Sequence, residues 1–261
     1  MSKPNDNSNT GQVRDPKLSL TQYDQVRYDR QIMLPEFGET GQKKLKSSRV
    51  FIAGAGGLGS SIAIYLAAAG IGSIVIADDD IVELSNLNRQ VMHSDADIDR
   101  FKIDSALEKL RQLNPSISIE GHKKNINADT VFKLAGGCDA IVDAMDNLPT
   151  RYLLNKTALA MKRPFFYGGV SGFEGRAMTV VPGKSACLRC LYRGPIEAVK
   201  FPVIGMAPAV IGAIQATEVL KYLVGIGELL TNRMLVYNGL QMTFTQFVIK
   251  QNPGCDHCGQ T

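Results

Sequence analysis

Residues 49–61 read Arg-Val-Phe-Ile-Ala-Gly-Ala-Gly-Gly-Leu-Gly-Ser-Ser, and no other stretch constrains the fold as tightly. Residues 50–53 are a short apolar run of strand type. Gly54, Gly56 and Gly59 follow at G-x-G-x-x-G spacing, and residues 62–69 continue as an apolar, alanine-rich helix. Glycines at these offsets permit a tight turn, a close approach of backbone to phosphate, and close packing of the helix on the strand. The unpaired N–H groups and positive dipole end of such a helix face an anion. By itself the fingerprint implies a nucleotide without saying which.

The downstream pattern extends this first βα unit. Residues 73–78 form a second, almost wholly apolar strand, as expected of a strand covered on both faces. It ends in Asp78, Asp79 and Asp80. An acid at this distance from the first glycine is placed to hold a ribose hydroxyl, and Asp78 is the favoured residue, while Asp79 suits an acidic cap on the strand end. Residues 83–90 form a polar loop at the carboxyl end of the sheet. Residues 97–113 read as a helix with Lys102 in its first turn, where the helix dipole disfavours a cation. Either a bound phosphate compensates that charge or the lysine is solvated.

Strands at 116–120, 139–144 and 164–167 alternate with helices at 128–134 and 151–162. The third of these strands ends in Gly168-Gly169, and Asp146 follows the second. This alternation predicts an α/β fold, a Rossmann-like doubly wound, mainly parallel sheet. After Gly169 the pattern changes. Residues 174–181 alternate, a long apolar helix covers 209–224, and strands at 233–237 and 242–249 flank Asn238-Gly239, a hairpin signal. Antiparallel strands are therefore expected in the C-terminal half. Upstream, residues 27–35 read as a helix ended by Pro35, with its arginines on a solvated face.

Composition excludes several classes. The apolar fraction of 44% and charged fraction of 21% are those of an ordinary globular protein. The net charge of +4 is dispersed, which makes no case for nucleic acid. The longest apolar stretch, 203–224, is broken by Gly205, Pro208, Gly212, Gln215, Glu218 and Lys221, so no membrane span is expected. The polar N-terminus lacks a signal-peptide core. These features predict a cytoplasmic protein with a disordered leader at 1–20 and a single domain at 21–261.

Four of the five cysteines form two C-x-x-C knuckles, Cys187/Cys190 and Cys255/Cys258. In a reducing compartment this spacing indicates metal before disulfides. Together the knuckles match a closed, structural zinc-thiolate site that ties the chain end to the middle of the domain, with a redox pair or unrelated thiols as alternatives. His257 lies inside the second knuckle and is not counted as a ligand. Cys138, before a buried strand, reads as a core residue.

Taken together, Arg27-Tyr-Asp-Arg-Gln-Ile, Gly54-Ala-Gly-Gly-Leu-Gly, Asp78-Asp-Asp, Ser85-Asn-Leu-Asn-Arg-Gln, Lys102, Asp143-Ala-Met-Asp-Asn and both knuckles resemble the HesA/MoeB/ThiF family of ATP-dependent adenylyltransferases, relatives of the ubiquitin-activating enzymes. The resemblance runs from about 27 to 259. It implies that Gly54, Gly56, Gly57, Gly59, Asp78, Asp80, Asn86, Arg89 and Lys102 bind ATP, and that Asp146 holds Mg²⁺. It also implies that Arg30 reaches into the other subunit of a homodimer, leaving Arg30, Arg89, Lys102 and Asp146 as the catalytic set.

The implied substrate is the C-terminal carboxylate of a ubiquitin-like sulfur-carrier protein. Residues 191–202 would lie over its tail, and Gly168-Gly169 would let that tail approach. Another peptide or small-molecule carboxylate, or a non-catalytic nucleotide-binding scaffold, is the alternative. One departure stands out. Relatives that form a thioester or persulfide carry a cysteine in the loop before the helix near Ala209, whereas Lys200-Phe201 occupies about that position here. Adenylation without a covalent link in this loop is expected, with another protein or small sulfur donor resolving the acyl-adenylate.

Overall fold

The computed structural model describes residues 19–192 and 202–259. The leader and the loop carrying Lys200-Phe201 fall largely outside these residues. Five parallel strands form the larger part of an eight-stranded sheet: Arg49–Ala53 (β1), Ser73–Ala77 (β2), Ser118–His122 (β3), Ala140–Asp143 (β4) and Phe165–Ser171 (β5). Glu174–Val180 (β6), Arg233–Asn238 (β7) and Thr243–Val248 (β8) then add antiparallel strands, giving the order β3-β2-β1-β4-β5-β6-β7-β8. The expected mixed α/β architecture is present.

The described helices are Gln22–Arg27 (α1), Asp29–Ile32 (α2), Gly38–Ser47 (α3), Gly57–Ala69 (α4), Lys102–Leu113 (α5), Val131–Leu134 (α6), Leu148–Ala160 (α7), Leu188–Leu191 (α8) and Met206–Val224 (α9). Because successive strand residues point to opposite faces, an unbroken apolar run must be covered twice. In β1, Val50 and Ile52 join a core built with α3, α4, α5 and α9. Phe51 and Ala53 join the other, built with α6, α7, α8 and the four cysteines. Truncating a fully buried residue such as Ile52 to Ala would cost about 2–5 kcal/mol. Among the described residues, no helix is long and apolar enough to cross a membrane.

Several boundaries differ from expectation, four of them for a clear local reason. The helix expected over 27–35 is two short helices meeting at the buried Tyr28, the first started by a capping box between Thr21 and Asp24. Helix α4 starts at Gly57 rather than 62, because glycine propensity understates a first turn packed against Pro208. Helix α5 starts at Lys102 rather than 97, since Asp99 has a positive φ of 67° and Asp97 caps the preceding turn through Ser94. Strand β3 starts at Ser118 because the Asn114 side chain accepts the Ser116 N–H at 3.2 Å and holds 114–116 in a turn.

Candidate active site

Strand β1 lies between β2 and β4, with Ala53 in register with Ala77 on one side and Asp143 on the other. The carboxyl ends of these three strands therefore share one edge, at the point where the strand order reverses. Open α/β sheets bind ligands in that crevice.

The glycine loop leaves β1 here. Gly54 has φ 107°, and a Cβ on it would lie 2.7 Å from the Ala144 carbonyl oxygen. A Cβ on Gly59 would collide with the Gly54 carbonyl, so both positions exclude side chains. Gly56 differs, because only Gln90 comes within 4 Å of its Cβ position. Gly56 is also the N-cap of α4 and provides no side-chain cap, so the first N–H groups of α4 open onto this space. The buried Gln90 Oε1 beside it lacks a hydrogen-bond partner. A cradle that a side chain would fill and an uncapped helix start together fit a phosphate group.

Asp78 secures the loop. Its Oδ2 accepts the Ala55 N–H at 2.7 Å and its Oδ1 accepts the Asp80 N–H at 2.9 Å. Burial raises the Asp78 carboxyl above its ordinary range, opposed by nearby Lys102 and both amide donors. Lys102 is 5% exposed and its Nζ lies 2.7 Å from Asp80 Oδ2. The solvated alternative for Lys102 is thereby excluded: α5 begins with a buried cation whose counter-charge is a mostly exposed carboxylate.

Asn86 and Arg89 occupy the polar loop after β2. Asn86 is buried in a 3₁₀ turn, Leu84–Asn86, with its Oδ1 accepting the Glu83 N–H at 3.2 Å. Arg89 Nη1 donates to the Ser85 carbonyl and to Asn88 Oδ1 at 2.9 and 3.0 Å, and among the described residues the rest of its guanidinium has no hydrogen-bond partner. The Arg89 carbonyl lies 3.4 Å from the Cβ position of Gly57, which brings this loop against the start of α4.

Beyond β4, residues 144–147 are shaped from inside. Asp143 Oδ1 accepts the Met145 N–H at 3.0 Å, Arg151 donates twice to the Met145 carbonyl, and Asn147 caps α7 through Thr150. Asp146 is left exposed at this edge, and among the described residues its one hydrogen-bond partner is the Asn147 amide at 3.5 Å. Desolvation pushes the fully buried Asp143 up to about 6, against the pull of Arg151 3.3 Å away.

Arg30 stands apart from this group. Its neighbour Gln31 donates to the Ala69 carbonyl in the last turn of α4, whereas the cradle lies at Gly56 and Gly57 in the first. Those ends are roughly 18 Å apart along the helix axis.

Gly168-Gly169 have a packing role inside the protein. A Cβ on Gly168 would collide with the Gln215 side chain, and one on Gly169 would lie 2.6 Å from the Tyr167 hydroxyl. Internal packing by itself already demands these glycines. Gln215 itself was missed by sequence reasoning. Its Nε2 donates to the Asp143 and Phe166 carbonyls at 2.7 and 3.0 Å, stitching the ends of β4 and β5. A buried amide in a mostly apolar helix was the available signal. His93, buried behind the glycine loop, was missed without any such signal.

The four knuckle cysteines are buried and lie together, with one Sγ from each within 4.8 Å of all the others. Cys187–Cys255 and Cys190–Cys258 sulfurs are 3.7 and 3.4 Å apart. Neither is a disulfide, and tetrahedral Zn–S bonds of about 2.3 Å place sulfurs about 3.8 Å apart. His257 instead points Nδ1 at the Asn155 amide at 2.8 Å. Cys138 is buried in the core, where desolvation pushes its thiol up to about 11.

Comparison with known proteins agrees with this geometry. The ThiF family profile matches residues 28–257. The SAMP-activating enzyme E1 of Haloferax volcanii is 43% identical over 249 residues, spanning 93% of this chain and 91% of the relative. The sulfur carrier protein adenylyltransferase of Thermus thermophilus is 36% identical over 244 residues, spanning 89% of this chain and 90% of the relative. Among solved structures, E. coli MccB with ATP superposes with a TM-score of 0.81 at 26% identity, covering 89% of this chain and 73% of MccB. The chain belongs to the ThiF family and is an ATP-dependent adenylyltransferase.

Proposed function

We propose that this enzyme activates the C-terminal carboxylate of a ubiquitin-like sulfur-carrier protein as an acyl-adenylate, releasing pyrophosphate. The observation that carries the reading is the convergence of the Gly56 cradle, Asn86, Arg89, Lys102 and Asp146 on one sheet edge. The high-coverage relatives, a SAMP-activating enzyme and a sulfur carrier protein adenylyltransferase, support the carrier as substrate.

One carboxylate oxygen attacks the α-phosphorus of ATP, the acyl–phosphate bond forms, and the bond to the β-phosphate breaks with its electron pair leaving on pyrophosphate. A carboxylate is already ionised at neutral pH, so no general base is needed. The residues' task is to align attack and leaving group and to stabilise phosphate charge. Asp78 holds the ribose, Asp80 releases Lys102 to the phosphates, and Arg89 and Asn86 contact them. Mg²⁺ held by Asp146 would supply further charge neutralisation. Arg30 acts from the second subunit of a homodimer, a reading supported by its distance from the cradle of its own chain.

Residues 21–261 form one adenylation domain, supported by the single sheet that runs from β3 to β8. The four cysteines hold a structural Zn²⁺, and free thiols of this kind suit the cytoplasm. No cysteine lies between Cys190 and Cys255, so the adenylate passes to an external sulfur donor without a covalent link in the crossover loop.

Carrier-dependent exchange of labelled pyrophosphate into ATP tests the reading. Exchange should appear with a candidate carrier and vanish when its last two glycines are removed. Exchange in the absence of any carrier would overturn it. A different peptide carboxylate is the second reading, favoured by the likeness to MccB, which has been solved with MccA. Exchange with a short peptide but no folded carrier would select it.

A further inference from the structure

His93 lies behind the glycine loop and bridges it to the helix that carries Lys102. Its Nε2 is 3.0 Å from the Ala55 carbonyl oxygen, and its Nδ1 is 2.9 Å from the Ser105 hydroxyl on α5. The direction of every proton in this chain of contacts follows from donor chemistry. Lys109 has no acceptor, so it donates to Ser105 Oγ at 2.9 Å while ion-pairing with the buried Asp97. The Ala55 carbonyl can only accept, so His93 Nε2 carries the ring proton and donates it there, and in the neutral ring Nδ1 accepts from the Ser105 hydroxyl. Burial lowers the basicity of His93, in keeping with a neutral ring.

The same residue, Ala55, gives its N–H to Asp78 at 2.7 Å. Both peptide groups flanking Ala55 are therefore held, one by Asp78 and the other by His93. Glycines on either side, Gly54 and Gly56, would otherwise allow those peptides to flip. A trans peptide is planar, so its C=O and N–H point in opposite directions. Pulling the Ala55 carbonyl inward turns the Gly56 N–H away from the buried imidazole.

We propose that His93 is a positioning residue for ATP: through its Nε2–H bond to Ala55 it locks the orientation of the Gly56 amide in the phosphate cradle and couples the cradle to α5, whose first residue is Lys102. The proposal rests on the adenylation reading of that cradle.

Two isosteric variants separate positioning from bulk structure. In His93→Gln the amide nitrogen sits near the Nε2 position and keeps the donor to Ala55. In His93→Asn the amide reaches only toward Ser105, and the donor to Ala55 is lost. Binding of a non-hydrolysable ATP analogue is measured by calorimetry, together with the KM for ATP and kcat in carrier-dependent exchange. His93→Asn should weaken analogue binding and raise the KM for ATP about tenfold, as expected for one lost hydrogen bond, with a smaller change in the KM for the carrier. His93→Gln should recover most of that affinity although it has lost Ser105. Equal affinity in the wild type and both variants would overturn the proposal and leave the adenylation reading standing. So would equal losses in both variants that follow their melting temperatures. Failure of the wild type to bind the analogue would overturn both.

Discussion

The Lys102 ammonium is buried, and its counter-ion in the protein, Asp80 at 2.7 Å, has a side chain 68% exposed. The pair is thus unequal: the cation depends on the anion more than the reverse. On the proposed reading a bound triphosphate competes for Lys102, and the contact is its holding position.

Asp80→Asn should therefore destabilise the nucleotide-free enzyme by about 1 kcal/mol, a melting-temperature drop of about 2–4 °C for a domain of this size. ATP should restore the missing anion, so its stabilising shift should be larger in the variant than in the wild type. Thermal melts with and without ATP check this, and a smaller ATP shift in the variant would contradict the holding role. Lys102→Ala should lower exchange by about 10²–10³-fold.

Asp146 makes no ion pair among the described residues, so Asp146→Ala should leave stability within about 0.5 kcal/mol while abolishing measurable exchange. A globally unfolded variant would identify a structural aspartate instead of a metal ligand. Mixing Asp146→Ala with Arg30→Ala subunits should restore about a quarter of wild-type activity, because hybrid dimers regain one complete site. No rescue in subunits shown to exchange would count against a shared site.

The buried Asp143 carboxyl, pushed up to about 6, sets a pH dependence. A carboxyl whose folded pKa exceeds its unfolded value contributes stability that is full below about pH 4 and is lost as pH rises through about 6. The loss amounts to at most about 3 kcal/mol. Asp143→Asn lacks it, so the melting temperature of the variant should rise relative to wild type between pH 4 and pH 7. A relative fall over that interval would mean that the ionised Asp143–Arg151 pair dominates.

The cysteine cluster should bind one zinc per chain, measured by elemental analysis of the purified protein. Cys258→Ser or a strong chelator should release the tail from Cys187 and Cys190 and lower the melting temperature, because binding energy at a structural zinc site is folding energy. Exchange measured well below the melting transition should persist. Metal-free protein with unchanged stability would remove zinc from the account.

Much of the architecture was legible locally. The apolar runs of β1, β2 and β4 announced strands covered twice, and both C-x-x-C spacings announced the cluster that the fold assembles. Boundaries failed where glycine or an unusual backbone angle hid the true start, as at Gly57 and Asp99. Gly168-Gly169 were legible as glycines, whereas Gln215 and the Tyr167 hydroxyl that fill the space beside them were not.

The chain by itself determined the glycine cradle, the acid-ended β2 and the paired knuckles, because each depends on spacing within a few residues. Only the tertiary structure decided that Lys102 is buried against Asp80, that Arg30 lies at the far end of α4, and that His93 grips Ala55 from behind. Those relationships join side chains to partners distant in sequence. Periodicity records which faces are buried, and it carries no record of which buried groups meet.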